Sequence, residues 1–139
     1  MILGLDVSTS TIGWCVIDKK GSFVDAGYIP LTKIKSLVEK GRFSSDEFGS
    51  IIIKHDIQEI YIEECMQRFS RGMSSAATIT KLAMFNGIIQ YVANESIGVQ
   101  PQLLNVNQAR KAIGLKVQSQ KKCGIPTKEQ VMNFVKPMI

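Results

Sequence analysis

Apolar and polar positions alternate over residues 2–8, with Leu3, Leu5 and Val7 on one side and Gly4, Asp6 and Ser8 on the other. A two-residue period of this kind predicts a strand with one buried face. Residues 11–18 (Thr-Ile-Gly-Trp-Cys-Val-Ile-Asp) are rich in β-branched and aromatic side chains and predict a second strand, with Trp14 in the core. Lys19-Lys20-Gly21-Ser22 predicts a turn, because Gly21 takes positive φ at little cost, and residues 23–29 return as a third strand. These three make an antiparallel meander that Pro30 closes. Residues 31–55 predict helix, interrupted near Gly41, with Ser44 or Ser45 as N-cap ahead of Asp46 and Glu47, and with His55 as a cation or surface residue at its end. Residues 57–65 form a fourth strand; the helix before it makes the connection a crossover, which sets this strand parallel to the first.

Beyond a polar loop at 67–74, residues 75–94 predict the clearest helix, with Lys81 as its single charge. Apolar residues cover nearly its whole circumference (Ile79, Leu82, Met84, Phe85, Ile88, Tyr91), which predicts burial on more than one side: one side against the sheet, the other open to a second subunit. Residues 101–106 read as a fifth strand, Asn107 as the cap of a short helix through 113, and Thr127 to Gln130 as a capping-box opening of a last helix.

A length of 139 residues suits one folding unit, so a single domain over 1–139 is expected. The 45% hydrophobic and 21% charged fractions are ordinary for a globular protein, and no apolar run approaches the roughly 20 residues of a membrane helix. The first residues lack a basic region ahead of an apolar one, so an intracellular, cytoplasmic protein is expected, with no membrane partner. Cys15, Cys65 and Cys123 are odd in number and far apart, which points to reduced thiols instead of a disulfide framework or a metal knuckle. Charge is uneven: residues 1–105 carry ten cations against eleven acids, whereas from 106 onward Arg110, Lys111, Lys116, Lys121, Lys122, Lys128 and Lys136 face Glu129 alone. Two readings of that basic quarter stand, a polyanion-binding surface and a solvated basic face.

Candidate chemistry lies at the strand ends. A carboxylate there is costly unless paired, hydrogen-bonded or bound to metal. Asp6 and the acid of Tyr61-Ile62-Glu63-Glu64 sit on strands expected to be parallel neighbours, so the two carboxylates approach one ion. Magnesium suits them, since it prefers hard oxygen ligands and commonly binds through one or two carboxylates, waters and substrate phosphates. Glu64 points to the opposite face if the strand stays regular; a bulge would reverse that.

Met1-Ile2-Leu3-Gly4-Leu5-Asp6-Val7-Ser8, continuing to Thr11-Ile12-Gly13-Trp14, resembles the first motif of RuvC-type nucleases of the ribonuclease H superfamily. These include the Holliday junction resolvases, and RNA-guided CRISPR nucleases carry a similar opening. Ile60-Tyr61-Ile62-Glu63-Glu64 resembles the second motif, Leu82 with Gly87 follows the resolvase pattern, and Lys128-Glu129-Gln130-Val131 resembles the segment where the family has a lysine before a helix. The resemblance implies a ribonuclease H-like α/β fold: a central mixed five-stranded sheet, its first three strands antiparallel and its fourth and fifth parallel to the first, flanked by helices. It implies a homodimer through helix 75–94 that binds a four-way DNA junction and nicks opposed strands with two Mg2+ ions, for which Mn2+ substitutes. Asp6 and Glu63 would be the metal ligands and catalytic acids, with Lys128 at the scissile phosphate or, alternatively, one more solvated cation. Phe69, between Arg68 and Arg71, would stack on bases or fold onto the core, and Arg110, Lys111, Lys116, Lys121 and Lys122 would contact DNA.

One departure stands out. The resolvases complete their site with further acids on a C-terminal helix, spaced Asp-x-x-Asp, and no acid follows Glu129. A C-terminal truncation is therefore expected, with the identity of the remaining ligands open. Two other readings remain: a catalytically incomplete junction-binding module, and an ATP-binding domain of the actin and sugar-kinase group, whose first phosphate motif Asp6-Val7-Ser8-Thr9-Ser10 also resembles. The kinase reading lacks the length for two lobes and a glycine-rich adenosine motif.

Overall fold

The computed structural model describes residues 1–65 and 75–139. Three strands open it: β1 (Ile2–Val7), β2 (Thr11–Ile17) and β3 (Phe23–Pro30), joined as an antiparallel meander with Leu5 opposite Trp14 and Cys15 opposite Ala26. The β2–β3 turn forms as its residues dictate. Gly21 takes φ +84°, and the Asp18 carboxylate accepts the backbone N–H groups of Lys20 and Ser22, both at 2.8 Å. Helix α1 (Leu37–His55) then crosses to β4 (Glu59–Glu63), which pairs parallel with β1. Helix α2 (Ala76–Ile97) and the short β5 (Gln102–Leu104) follow, giving the strand order β3-β2-β1-β4-β5. The mixed sheet with flanking helices is the one expected.

Contacts group the chain into two compact units, Met1–Leu103 and Leu104–Ile139. In the first, Leu3, Leu5, Ile12, Val16, Ile60 and Ile62 make a buried sheet face with Phe48, Phe85 and Ile89 from the helices. Trp14 packs against this core, as expected. The second unit contains α3 (Val106–Ala112), α4 (Gln120–Cys123), α5 (Thr127–Val135) and a 3-10 turn at Lys136–Met138. Cys15, Cys65 and Cys123 are reduced thiols outside any disulfide. Among the described residues no helix is long and apolar enough to cross a membrane.

Several element boundaries differ from expectation for identifiable reasons. Helix α1 is not interrupted at Gly41: it is continuous from an N-cap at Ser36, whose hydroxyl accepts the Glu39 N–H, so neither Ser44 nor Ser45 is the cap. Gly41 is instead a point of close approach, since a Cβ there would stand 2.5 Å from Cγ2 of Ile88 in α2. Ser44 is buried in the helix interior and satisfies its hydroxyl by donating to the Lys40 carbonyl at 2.8 Å. Asn105, not Asn107, caps α3, its side chain accepting the N–H groups of Asn107 and Gln108. The Thr127–Gln130 capping box does not form, because the Gln130 amide is engaged elsewhere: it donates to the carbonyls of Ile125 (2.7 Å) and Gln118 (2.9 Å) and accepts the Gln118 N–H. His55 is not a surface residue; its side chain is largely buried, with Nε2 3.0 Å from the Asp25 carboxylate that Lys54 also contacts at 2.8 Å.

Overpacking a helix contact costs about 1–3 kcal/mol, which exceeds the roughly 1 kcal/mol of helix propensity that alanine gains over glycine. Gly41→Ala is therefore expected to destabilise by on the order of 1 kcal/mol in denaturant melts, and by clearly less in an Ile88→Ala background, where the clashing methyl is gone. An unchanged cost in the double variant would show that the α1–α2 contact is not the reason for the glycine.

Acid pH tests the clamp between β3 and α1. The hydrogen bond from Lys54 holds the Asp25 carboxyl below the usual carboxylate range, with the Ala26 N–H and His55 adding to it. A carboxyl lowered in the fold contributes stability that is present above its unfolded value and is lost as pH falls through its folded value. The difference in thermal midpoint between wild type and Asp25→Asn is accordingly expected at neutral pH and to close as the pH drops below the carboxylate range. A difference that persists in acid would exclude the ion pair as its source.

Candidate active site

Parallel pairing of β1 with β4 runs in register from Ile2 opposite Glu59 to Leu5 opposite Ile62. One step further brings Asp6 beside Glu63. Because paired residues share a face, both acids stand on the side of the sheet opposite Leu3, Leu5, Ile60 and Ile62, at the carboxyl ends of their strands. Asp6 is exposed and Glu63 half-buried. The expectation of an acid at a buried strand end thus changes for Asp6: its strand is buried on one face only, and the carboxylate keeps water on the other. Gly13 is its neighbour across β2 and offers no side chain to cover it.

Asp6, Glu63 and Glu64 line one cavity of roughly 220 Å³ together with Ser8, Leu82 and Asn86. Glu64 was expected on the opposite face. It borders the same cavity because β4 ends at Glu63, and the strict alternation that would turn Glu64 away ends there too. Among the described residues no three His, Cys, Asp or Glu side chains converge into a metal cage. Burial pushes the neighbouring Cys65 thiol up, so at neutral pH it adds no negative charge to the cleft.

The strand ends are held from several directions. After β1, Ser8 closes the turn into β2: its hydroxyl donates to the Thr11 carbonyl at 2.8 Å and accepts the Thr11 N–H at 3.1 Å. From α1, the buried Lys40 donates its ammonium to the Thr9 carbonyl in the same turn. From α2, Asn86 donates to the Glu63 carbonyl at 3.2 Å. Sequence reasoning singled out none of these last two. The available signal was a polar residue on each helix's buried stripe: Lys40 beside Ser44, Phe48 and Ile51, and Asn86 beside Phe85, Ile89 and Ala93.

The predicted DNA-contacting cations lie in the second unit. Arg110 and Lys111 occupy the last turn of α3 and, with Lys116, line a cavity of roughly 290 Å³ that, among the described residues, no acid borders. Lys121 and Lys122 are exposed on α4, and Lys128 is exposed in the first turn of α5 beside Glu129. Arg68, Phe69 and Arg71 lie outside the described residues.

Three carboxylates lining one cleft, that of Asp6 open to solvent, fit a hard, water-retaining cation such as Mg2+. Sheet order and strand directions define a ribonuclease H-like fold. A Thermus thermophilus RuvC structure superposes with a TM-score of 0.63 at 17% identity, covering 99% of this chain and 78% of that one. T. thermophilus RuvC in complex with Holliday junction substrate gives the same score at 15% identity, covering 85% and 81%. The yeast mitochondrial Holliday junction resolvase Ydc2 gives 0.56 at 15% identity, over 99% of this chain and 61% of its own.

The likeness extends to sequence and to a particular group. Crossover junction endodeoxyribonuclease RuvC of Sulfurovum sp. is 28% identical over 99% of this chain and 80% of its own length, and RuvC of Aliarcobacter butzleri is 26% identical over 99% and 82%. No family model matches the chain. The resemblance to RuvC-type resolvases that the motifs carry is therefore a resemblance of nearly the whole chain.

Proposed function

We propose that this chain is a metal-dependent endodeoxyribonuclease that resolves four-way DNA junctions by phosphodiester hydrolysis. The observation that carries it is the placement of Asp6 and Glu63 on one cleft at the carboxyl ends of two neighbouring parallel strands, in a chain similar over nearly its full length to RuvC endonucleases.

In this reading Asp6 and Glu63 would hold Mg2+ at the cleft. Bound there, Mg2+ supplies activation of a water and stabilisation of the leaving oxygen. Ser8 and the turn it closes keep Asp6 at a fixed height above the sheet, and Gly13 leaves the approach to its carboxylate open. By resemblance Lys128 would contact a substrate phosphate, and Arg110, Lys111, Lys116, Lys121 and Lys122 would neutralise DNA backbone charge. By resemblance Arg68, Phe69 and Arg71, which follow Glu63 in the sequence, would also contact DNA.

A junction with two opposed scissile strands calls for two copies of the site, and α2 offers the surface. Met84 and Tyr91, one heptad apart with Gly87 between them, are 59% and 66% exposed on the face turned away from Phe85 and Ile89. A second copy of this chain packing on that face would bury them.

Magnesium-dependent nicking of a synthetic four-way junction is expected, and Asp6→Asn or Glu63→Gln should lower it at least about 100-fold, the scale of several kcal/mol that metal-held charge stabilisation supplies, while junction binding persists. Equal affinity for linear duplex and junction in gel shifts would count against junction selectivity. Binding with no nicking at any metal concentration would leave a junction-binding module. Sedimentation is expected to show a dimer that Tyr91→Lys converts to monomer; a wild-type monomer at high concentration would remove the α2 interface.

A further inference from the structure

The wall of the acid cleft contains an amide pair to which the proposed chemistry assigns no role. Asn86 is 4% exposed in the middle of α2. Its Nδ2 donates to the backbone carbonyl of Glu63 at 3.2 Å, and its Oδ1 accepts from Nε2 of Gln90, one helical turn on, at 2.7 Å. The direction of this chain of bonds is forced. A carbonyl only accepts, so Asn86 must turn its nitrogen to Glu63 and its oxygen to Gln90, and Gln90 must answer with a nitrogen.

Glu63 is the last residue of β4, and the β1–β4 pairs end one position earlier, at Leu5 opposite Ile62. The ladder thus fixes how the chain arrives at Glu63, and Asn86 fixes how it leaves. With the peptide on each side of its Cα held, the Cα–Cβ bond of Glu63 has one direction, which limits the part of the cleft that its carboxylate reaches. Asn86 itself lines that cleft.

We propose that Asn86, oriented by Gln90, is the positioning residue for the Glu63 carboxylate: it holds the strand end from the helix so that Glu63 meets Asp6 across one cation. This rests on Asp6 and Glu63 being the metal-holding pair. The role differs from core packing, because a leucine at 86 keeps the branched shape and heavy-atom count of the asparagine side chain, with somewhat more bulk, and removes the amide that Glu63 and Gln90 use. Groups that orient metal ligands through backbone or side chain typically matter 10–100-fold in metal affinity.

Titration of the full chain with Mn2+ in the absence of DNA, following free Mn2+ by its paramagnetic resonance signal, separates these roles from cleavage altogether. Asn86→Leu is expected to weaken Mn2+ binding about 10–100-fold. Gln90→Leu should weaken it as well, whereas Gln90→Lys, which keeps an N–H donor for Asn86 Oδ1, should stay near wild type. Wild-type affinity in Asn86→Leu, at whatever melting temperature, would overturn the inference; if that variant does not fold, equal affinities in Gln90→Leu and Gln90→Lys overturn it instead. Failure of the underlying metal reading looks different: wild type would bind no Mn2+, or binding would be indifferent to Asp6→Asn and Glu63→Gln.

Discussion

Everything proposed for the cleft depends on the parallel register between β1 and β4. Side chains alternate across a sheet, so a slip of one residue in that pairing would send Glu63 into the apolar layer beneath the helices and bring Ile62 to the side of Asp6. What prevents the slip is burial: Ile60 and Ile62 are locked against Leu3 and Leu5 and the apolar faces of α1 and α2. The hydrophobic core therefore sets the chemistry without contributing an atom to it, and the two acids stand where they do because their neighbours in sequence cannot stand anywhere else.

The polar contacts around the cleft refine what the register establishes. Each of the two helices sends one polar side chain from its buried stripe to a backbone carbonyl near a strand end: Lys40 to Thr9, past the end of β1, and Asn86 to Glu63, at the end of β4. Burying an ammonium or an amide is costly unless it finds a partner, and a carbonyl beyond the regular ladder provides one. The helices thus cover the sheet and also pin the strand ends that carry the acids.

How far this was legible in the sequence varies by physical cause. The meander and β4 were readable because period-two alternation, a Gly21 turn and a crossover of fitting length are local signals. The acid pair followed from the parallel assignment. Glycine and serine usually punctuate helices, so the sequence of α1 suggests a break; here Gly41 serves a contact with Ile88 that is distant in sequence, and Ser44 satisfies itself on the Lys40 carbonyl. Thr127 and Gln130 had the spacing of a cap, yet the Gln130 amide reaches Gln118 and Ile125 instead, a competition that spacing alone does not reveal. Lys40 and Asn86 are illegible for the same reason: a polar residue on an apolar stripe says that a partner exists and not which one.

The crossover through α1 has a kinetic meaning as well. Strands β1, β2 and β3 pair through short turns and close cheaply, whereas β4 reaches β1 only after the whole of β2, β3 and α1 has been traversed. Closing that longer loop costs more chain entropy before any contact repays it. A folding chain can thus complete its meander, with Asp6 already in place, while the second acid is still unattached. The proposed site would then be complete only once the most non-local strand docks, and the cleft acids come together as the last consequence of the fold.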